Sequence, residues 1–308
     1  MEQINKPSIS VIILTVGRPL LFTRAINSIL KQDYPICEII IGDVSKDSET
    51  EMLVRNMNNN KIRYIKIENE KDPALTINYL INEAKGELIA FCDDDDEWIS
   101  SDKLSKQVDK LNELGNDYGI IYCWYEIWDD KRDALISVRC PNKVGNIFWY
   151  MLGDNAIAGT PNLLIRKQLF EQYGGWLEGT LYTTDYLMLL RLSQHTKVGY
   201  VPEILVRVHH NHIYKRVTNL DNAFFTHENR INYQLKFIEM FKVYMDLIPA
   251  SYLPHYRVLI YDYIYLKNFN LAIIYIIKYI MIKGIDKYIL KTIIKLVINI
   301  INIYENIN

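Results

Sequence analysis

The sequence predicts an α/β fold: a mostly parallel central sheet flanked by helices, followed by a C-terminal helical region. Three observations carry this. Over the first two hundred residues, short β-branched runs alternate with apolar stretches at helical spacing, the mark of successive βαβ units. Several of those runs are nearly continuous rather than alternating, as strands covered on both faces are. From about Asn219 the chain turns almost wholly helical, dense in Ile, Tyr, Lys and Asn.

Each element follows in order. Ser8 to Leu14 (SISVIIL) is apolar almost throughout and reads as a buried strand. Ala25, Ile26, Ile29 and Leu30 come next at helical spacing and complete a first βα unit. Cys37 to Ile41 (CEIII) is a second buried strand, and Glu49 to Met57 a helix. Ile62 to Ile67 (IRYIKI) alternates with period two, giving a third strand. Leu75 to Ala84 is helical and stops before Gly86. Glu87 to Cys92 (ELIAFC) is a fourth strand that runs straight into four aspartates. In such sheets ligands collect beyond the carboxyl ends of the strands, so functional residues are expected to follow strands.

Composition narrows the classes. Length, at 308 residues, suits one large domain or two unequal ones, and the break in character divides the chain into 1–215 and 216–308. Lys plus Arg total 35 against 37 Asp plus Glu, a formal charge of −2, which lacks the basic footprint of a nucleic-acid partner. Four cysteines (Cys37, Cys92, Cys123, Cys140) stand too far apart for C-x-x-C pairs, so neither a disulfide framework nor a zinc knuckle is expected and a reducing cytoplasm fits. The first apolar run, Ile9 to Leu14, has the length of a strand and not of a signal-peptide core.

The tail is basic. From His209 to Asn308 there are twelve Lys and Arg against seven Asp and Glu. Between Ile285 and Tyr304, apolar residues at Ile285, Tyr288, Ile289, Ile293, Leu296, Val297, Ile300 and Tyr304 make one helical face. Two readings stay open: helices that pack on the catalytic core or a sister subunit, and helices that lie peripherally on the anionic inner face of the cytoplasmic membrane. A spanning helix is not expected, because Leu271 to Ile282 is short and contains Lys278, whereas a span needs about 20 apolar residues.

Phe91-Cys-Asp-Asp-Asp-Asp-Glu-Trp98 is the most informative stretch. Crowded carboxylates repel unless a cation or hydrogen-bond donors neutralise them. Hard oxygens suit Mg²⁺ or Mn²⁺, which keeps part of its coordination shell for substrate phosphates. Helix capping alone does not call for four aspartates, since Ser101 and Asp102 already stand before the helix carrying Leu104, Val108 and Leu111. No EF-hand spacing is present.

Together with this stretch, Ser8-Ile-Ser-Val-Ile-Ile-Leu-Thr-Val-Gly-Arg-Pro19 and Glu38-Ile-Ile-Ile-Gly-Asp-Val-Ser-Lys-Asp47 resemble family 2 glycosyltransferases of the GT-A fold, over about residues 7–212. The resemblance implies a Rossmann-like sheet, a nucleotide-sugar donor, a glycan or lipid-linked acceptor, Mn²⁺ or Mg²⁺, and a role in bacterial cell-surface polysaccharide biosynthesis. It places the nucleotide on Thr15, Val16, Arg18 and Asp43, with Val16 where the family has an aromatic and Gly42 where it has a second acid. It gives the diphosphate or ribose to Asp94 and the metal to Asp95, with Asp93 assisting either; Asp94 and Asp96 fit the D-x-D spacing equally well. Ile77-Asn78 stands where the family often has Arg-Asn, which removes one phosphate contact.

Further on, Gly159 to Arg166 and Tyr173 to Glu178 resemble the acceptor-side segments, with Trp176 able either to face a sugar ring or to pack in the core. Thr183-Thr-Asp-Tyr-Leu-Met-Leu-Leu-Arg191 resembles the Glu-Asp block, with Thr184 replacing Glu and Asp185 on the general-base position. His209, His210 and His212 follow an apolar run, and His209 is a candidate for metal or diphosphate contact. The implied reaction is inverting glycosyl transfer. A sugar nucleotidyltransferase is a rival, weakened by the lack of a Gly-rich basic loop after the first strand; a non-catalytic binding scaffold is another.

Overall fold

The computed structural model describes residues 6–68, 72–157, 159–179, 184–214 and 226–305, without the side chains of Thr184 and residues 299–305. The chain divides into two compact units: Met1–Phe148 with Ala156–Lys215, and Trp149–Asn155 with Arg216–Asn308.

The first unit opens with β1 (Ile9–Thr15), α1 (Pro19–Leu30), β2 (Ile36–Asp43), α2 (Glu49–Met57), β3 (Ile62–Lys66), α3 (Pro73–Glu83) and β4 (Leu88–Phe91). After β4 come β5 (Glu97–Trp98), α4 (Lys103–Leu114), β6 (Tyr118–Asp129), β7 (Ala134–Arg139) and the short α5 (Phe148–Met151), whose last three residues belong to the second unit. It ends with β8 (Leu163–Arg166), α6 (Lys167–Tyr173), α7 (Thr184–Leu192) and β9 (Lys197–His210). Nine strands form one sheet in the order β3-β2-β1-β4-β8-β6-β9-β5, with β7 beside β6. β1 to β4, β6 and β9 run one way; β5, β7 and β8 run against them.

The central strands are buried on both faces. Ile9, Val11 and Ile13 of β1 pack with Phe22, Ala25, Ile26 and Ile29 of α1 and with Leu104, Val108 and Leu111 of α4. Ile12, on the opposite pleat, is 2% exposed. This two-sided burial is why the run from Ile9 is unbroken. β2 extends to Asp43, beyond the expected end at Ile41, because its ladder with β1 continues through Leu14↔Gly42 and Thr15↔Asp43. α3 begins at Pro73, two residues early: Pro73 is preset for the first helical position, and the Asp72 carboxylate accepts from the Ala74 N–H at 2.9 Å. Asp102 precedes α4, but its carboxylate takes the Ser100 hydroxyl and Lys106 Nζ and does not cap.

The second unit is helical: α8 (His227–Leu247), α9 (Tyr252–Tyr265), α10 (Phe269–Lys283) and α11 (Lys287–Glu305). No helix among the described residues is long and apolar enough to cross a membrane. Trp149–Asn155 falls in this unit although it lies before the division at 215. Its Trp149 ring stands edge-on to Tyr244 at 5.8 Å, and its Leu152 carbonyl lies 2.9 Å from His255 Nε2. A carbonyl only accepts, so Nε2 carries a proton, and Nδ1 lies 2.6 Å from the Gln234 side-chain oxygen.

Burial keeps the His255 ring neutral and lowers its pKa to about 4. An unfolded histidine titrates near 6.5, so below that pH the unfolded chain binds the extra proton. The stabilisation is complete above pH 6.5 and is expected to fall by about 3 kcal/mol as the pH drops towards 4. Denaturant unfolding followed by circular dichroism between pH 7 and pH 4 checks this. The wild-type slope should exceed that of His255→Gln; equal slopes would discard the account.

Candidate active site

The candidate residues converge at the carboxyl edge of the sheet. β1 pairs with β4 through Ile12↔Phe91, and carrying that register three residues further sets Thr15 beside Asp94. The Thr15 hydroxyl donates to Asp94 Oδ2 at 2.8 Å, and the Val16 N–H donates to the same oxygen at 3.3 Å. Arg18, 8% exposed, completes the enclosure: Nε reaches Asp94 Oδ2 at 3.2 Å, one terminal nitrogen bonds Asp94 Oδ1, and the other bonds Asp95 Oδ2 at 2.7 Å. Asp94, 1% exposed, is thus held by the last residue of β1 and two residues of the turn after it, and acts as the anchor of the acidic loop. Arg18 lends its charge to the two aspartates.

The carboxylates of Asp93, Asp95 and Asp96 each offer an oxygen within 4.8 Å of the others. Asp93 is exposed as a whole residue, yet protein surrounds its carboxyl, and that desolvation, then the charges of Asp95, Asp185 and Asp94, push its pKa up to about 7. The Thr160 hydroxyl donates to Asp93 Oδ1 at 3.2 Å. His212 Nε2 lies 3.2 Å from Asp95 Oδ2, and its Nδ1 is buried without a hydrogen-bond partner among the described residues. Three convergent hard oxygens beside an imidazole fit a divalent cation such as Mg²⁺ or Mn²⁺.

His209 does not reach this cluster. Its ring is buried between Asp130 and Glu97, bonding Asp130 Oδ1 through Nδ1 and lying 3.3 Å from Glu97 Oε1 through Nε2. Its backbone N–H donates to Asp96 Oδ1 at 3.0 Å, which orients Asp96 from outside. His210 is the last residue of β9, paired in register with Asp129.

Asp43 ends β2 with no exposed surface. Burial works to raise its pKa, but hydrogen bonds from the Tyr64 hydroxyl (2.6 Å), the Ser45 N–H (2.8 Å) and Lys66 Nζ (3.2 Å) outweigh it and hold the carboxyl below its ordinary range. Lys66 also reaches the Ser45 hydroxyl and the Asp47 carbonyl, tying down the turn after β2. Val16, directly after β1, is 40% exposed.

Asp185, Thr184 and Trp176 form a second group. Asp185 stands in the first turn of α7, where the helix N-terminus favours an ionised carboxylate, and Thr184 opens that helix. Trp176 is 2% exposed, with its ring against Phe91 (5.1 Å) and Phe170 (6.0 Å), so it offers no open face to a sugar. It positions the carboxylate instead: Nε1–H donates to Asp185 Oδ1 at 3.1 Å.

The segment carrying Trp176 is fastened twice. The Asn78 amide donates to the Trp176 carbonyl (2.9 Å) and accepts from its N–H (2.8 Å). Arg191 donates to the carbonyls of Gly175 (3.0 Å) and Tyr173 (2.7 Å). Asn78, Thr160 and His212 thus touch the site without having been given a role in it, although each had a signal: Asn78 at the family's Arg-Asn position, Thr160 in the segment Gly159 to Arg166, and His212 in the histidine cluster at the end of β9.

The sequence and fold were compared with known proteins. The family model "Glycosyl transferase family 2" matches residues 10–174. An uncharacterized glycosyltransferase of Rickettsia typhi is 32% identical over 210 residues, covering 66% of this chain and 64% of that protein. A GalNAc(5)-diNAcBac-PP-undecaprenol β-1,3-glucosyltransferase of Campylobacter jejuni is 37% identical over 110 residues, 35% of each chain. The match therefore spans less than two-thirds of these relatives' own length. Among solved structures, TarS of S. aureus with UDP-GlcNAc superposes with a TM-score of 0.58 at 15% identity, covering 75% of this chain and 66% of that one. The mannosyltransferase PcManGT of Pyrobaculum calidifontis with GDP-Man and Mn²⁺ gives 0.54 at 16% identity, over 95% and 87%. At such identities the likeness speaks for the GT-A fold, while the match over more than half of the sequence places this chain in glycosyltransferase family 2.

Proposed function

We propose that the chain is an inverting, divalent-metal-dependent glycosyltransferase that moves a sugar from a nucleoside diphosphate, UDP by preference, to a hydroxyl of a glycan on a lipid carrier. The observation that supports it most is the grouping of Asp93, Asp95 and Asp96 within 4.8 Å, with Asp185 near enough for its charge to raise Asp93. A metal–diphosphate site and a base for the acceptor belong that close together. The lipid-linked acceptor is supported by the Campylobacter relative, whose name states an undecaprenol-linked substrate, and the cation by the Mn²⁺ in the Pyrobaculum neighbour. Bacterial cell-surface polysaccharide biosynthesis at the cytoplasmic side is the setting this reading implies. Residues 1–215 carry both substrates.

The chain's own groups divide the work. Asp93, Asp95 and Asp96 would hold the cation, whose Lewis acidity stabilises the leaving diphosphate. Arg18, Thr15 and the Val16 N–H fix Asp94, so that the acidic loop keeps its shape as the diphosphate enters. Asp185 takes the proton from the acceptor hydroxyl, which attacks the anomeric carbon on the face opposite the leaving group. Trp176 holds one carboxylate oxygen of that base in place. Asp43 and the open end of β1 at Val16 lie where the nucleoside is received.

Calorimetry with UDP, GDP and dTDP, in Mn²⁺ or Mg²⁺ and again after chelation, tests the reading. UDP is expected to bind only with the cation. Binding of none of the three would overturn the enzyme reading in favour of a scaffold.

A further inference from the structure

Helix α11 carries two apolar faces. One packs inward, with Ile289 and Leu296 seven residues apart at 0% and 5% exposure. The other is open: Leu290, Ile294, Val297 and Ile298 are 54%, 52%, 48% and 50% exposed. Packing within the unit requires only the first face. Lys287, Lys291 and Lys295 recur every fourth residue along one edge of the open face. The single acid between Lys267 and Lys295 does not neutralise them, because Asp286 is occupied by the Tyr279 hydroxyl (2.8 Å), the Ile289 N–H (2.9 Å) and Arg257 (3.8 Å). α10 repeats the pattern, with Ile273, Ile277 and Met281 open at 41%, 52% and 81% beside Lys278.

An apolar stripe edged by uncompensated lysines matches an anionic bilayer surface: the stripe enters the acyl boundary, and the long lysine stems carry their ammonium groups to the phosphates. A second copy of this chain fits less well. An isologous antiparallel contact across this face would bring two rows of lysines together with no acid between them. Neither helix is long and apolar enough to cross, so contact is parallel to the surface. We propose that the open face of α11, with the open residues of α10, rests on an anionic lipid bilayer. This deepens the reading of a lipid-linked acceptor and rests on it for its purpose; the binding itself is measured without donor or acceptor.

The test uses the full chain and sedimentable vesicles of phosphatidylcholine, with and without phosphatidylglycerol. Binding is expected to the anionic vesicles only and to weaken with salt. The combined variant Lys287→Glu, Lys291→Glu, Lys295→Glu should lose about a hundredfold in affinity, since each basic residue near such a surface contributes about fivefold. Ile294→Ser with Ile298→Ser should weaken binding while the circular dichroism spectrum and thermal midpoint stay unchanged. No binding to anionic vesicles, equal binding to both kinds, or full binding by the lysine variant overturns the proposal. So does a dimer in light scattering that Ile294→Ser dissociates. Failure of UDP binding in calorimetry, with vesicle binding intact, would remove the enzymatic reading and leave this surface standing.

Discussion

Asp185→Asn is expected to lower turnover by about 10²–10⁴-fold while UDP and cation binding stay unchanged, because general-base help in the transition state is what the substitution removes. The amide keeps the size of the carboxylate, and its oxygen still accepts the Trp176 Nε1–H, so Phe91, Phe170 and Trp176 keep their packing. Steady-state kinetics with the acceptor, paired with calorimetry on UDP, separates the two effects. Trp176→Phe keeps an aromatic ring but removes the donor and part of the buried indole volume, so its turnover should fall between wild type and Asp185→Asn with donor affinity intact and a lower thermal midpoint. Equal turnover for Asp185→Asn and wild type would take the base role away from this residue.

Arg18→Met should destabilise the first unit by about 3–5 kcal/mol, the range seen when one partner of a buried ion pair is removed. Arg18 is the cation that Asp94 and Asp95 share, and all three are less than a tenth exposed. Methionine fills the stem's volume and leaves the carboxylates without that charge. For a unit of this size the midpoint should drop by roughly 10 °C. Mn²⁺ should restore more stability to the variant than it adds to wild type, since a bound cation supplies the missing charge to Asp95. Differential scanning calorimetry with and without Mn²⁺ reads both. A loss under about 1 kcal/mol would mean that water already solvates this pair, as it does at exposed salt bridges.

The parts of the fold that could be read from residues alone are those where burial is two-sided. β1 and β4 announce themselves because every residue from Ile9 to Ile13 and from Leu88 to Phe91 faces protein. The hairpin of β6 and β7 gives no such signal. Five of the six β7 residues are exposed, and the outer half of β6 is half-buried, so neither constrains the residue types strongly. The acidic loop was legible because like charges in a row demand an explanation, and the resemblance gave Asp185 its role.

What residues alone do not reveal is which polar atoms are already spoken for. Asp43 and Asp94 sit at the expected edge, yet both are enclosed by donors that arrive from elsewhere in the chain, Lys66 and Tyr64 for one and Arg18 for the other. Trp176 was balanced between sugar platform and core; its neighbours Phe91 and Phe170 lie 85 residues before and 6 before it, and only folding brings them together. Among the three histidines, the strand's end decides: His209 is still within β9 and turned towards Asp130, while His212 lies beyond it and meets Asp95.

The clasp between Asn78 and the backbone of Trp176 has a consequence for how this chain can vary. A side chain at position 175 would set its Cβ 2.2 Å from Asn78 Oδ1, so the glycine there admits the amide and is not a matter of backbone freedom. The two positions form one unit of inheritance. A larger residue at 175 displaces the Asn78 amide and so loosens the indole that bonds Asp185. A change at a site remote in sequence thereby has a direct route to the Asp185 carboxylate.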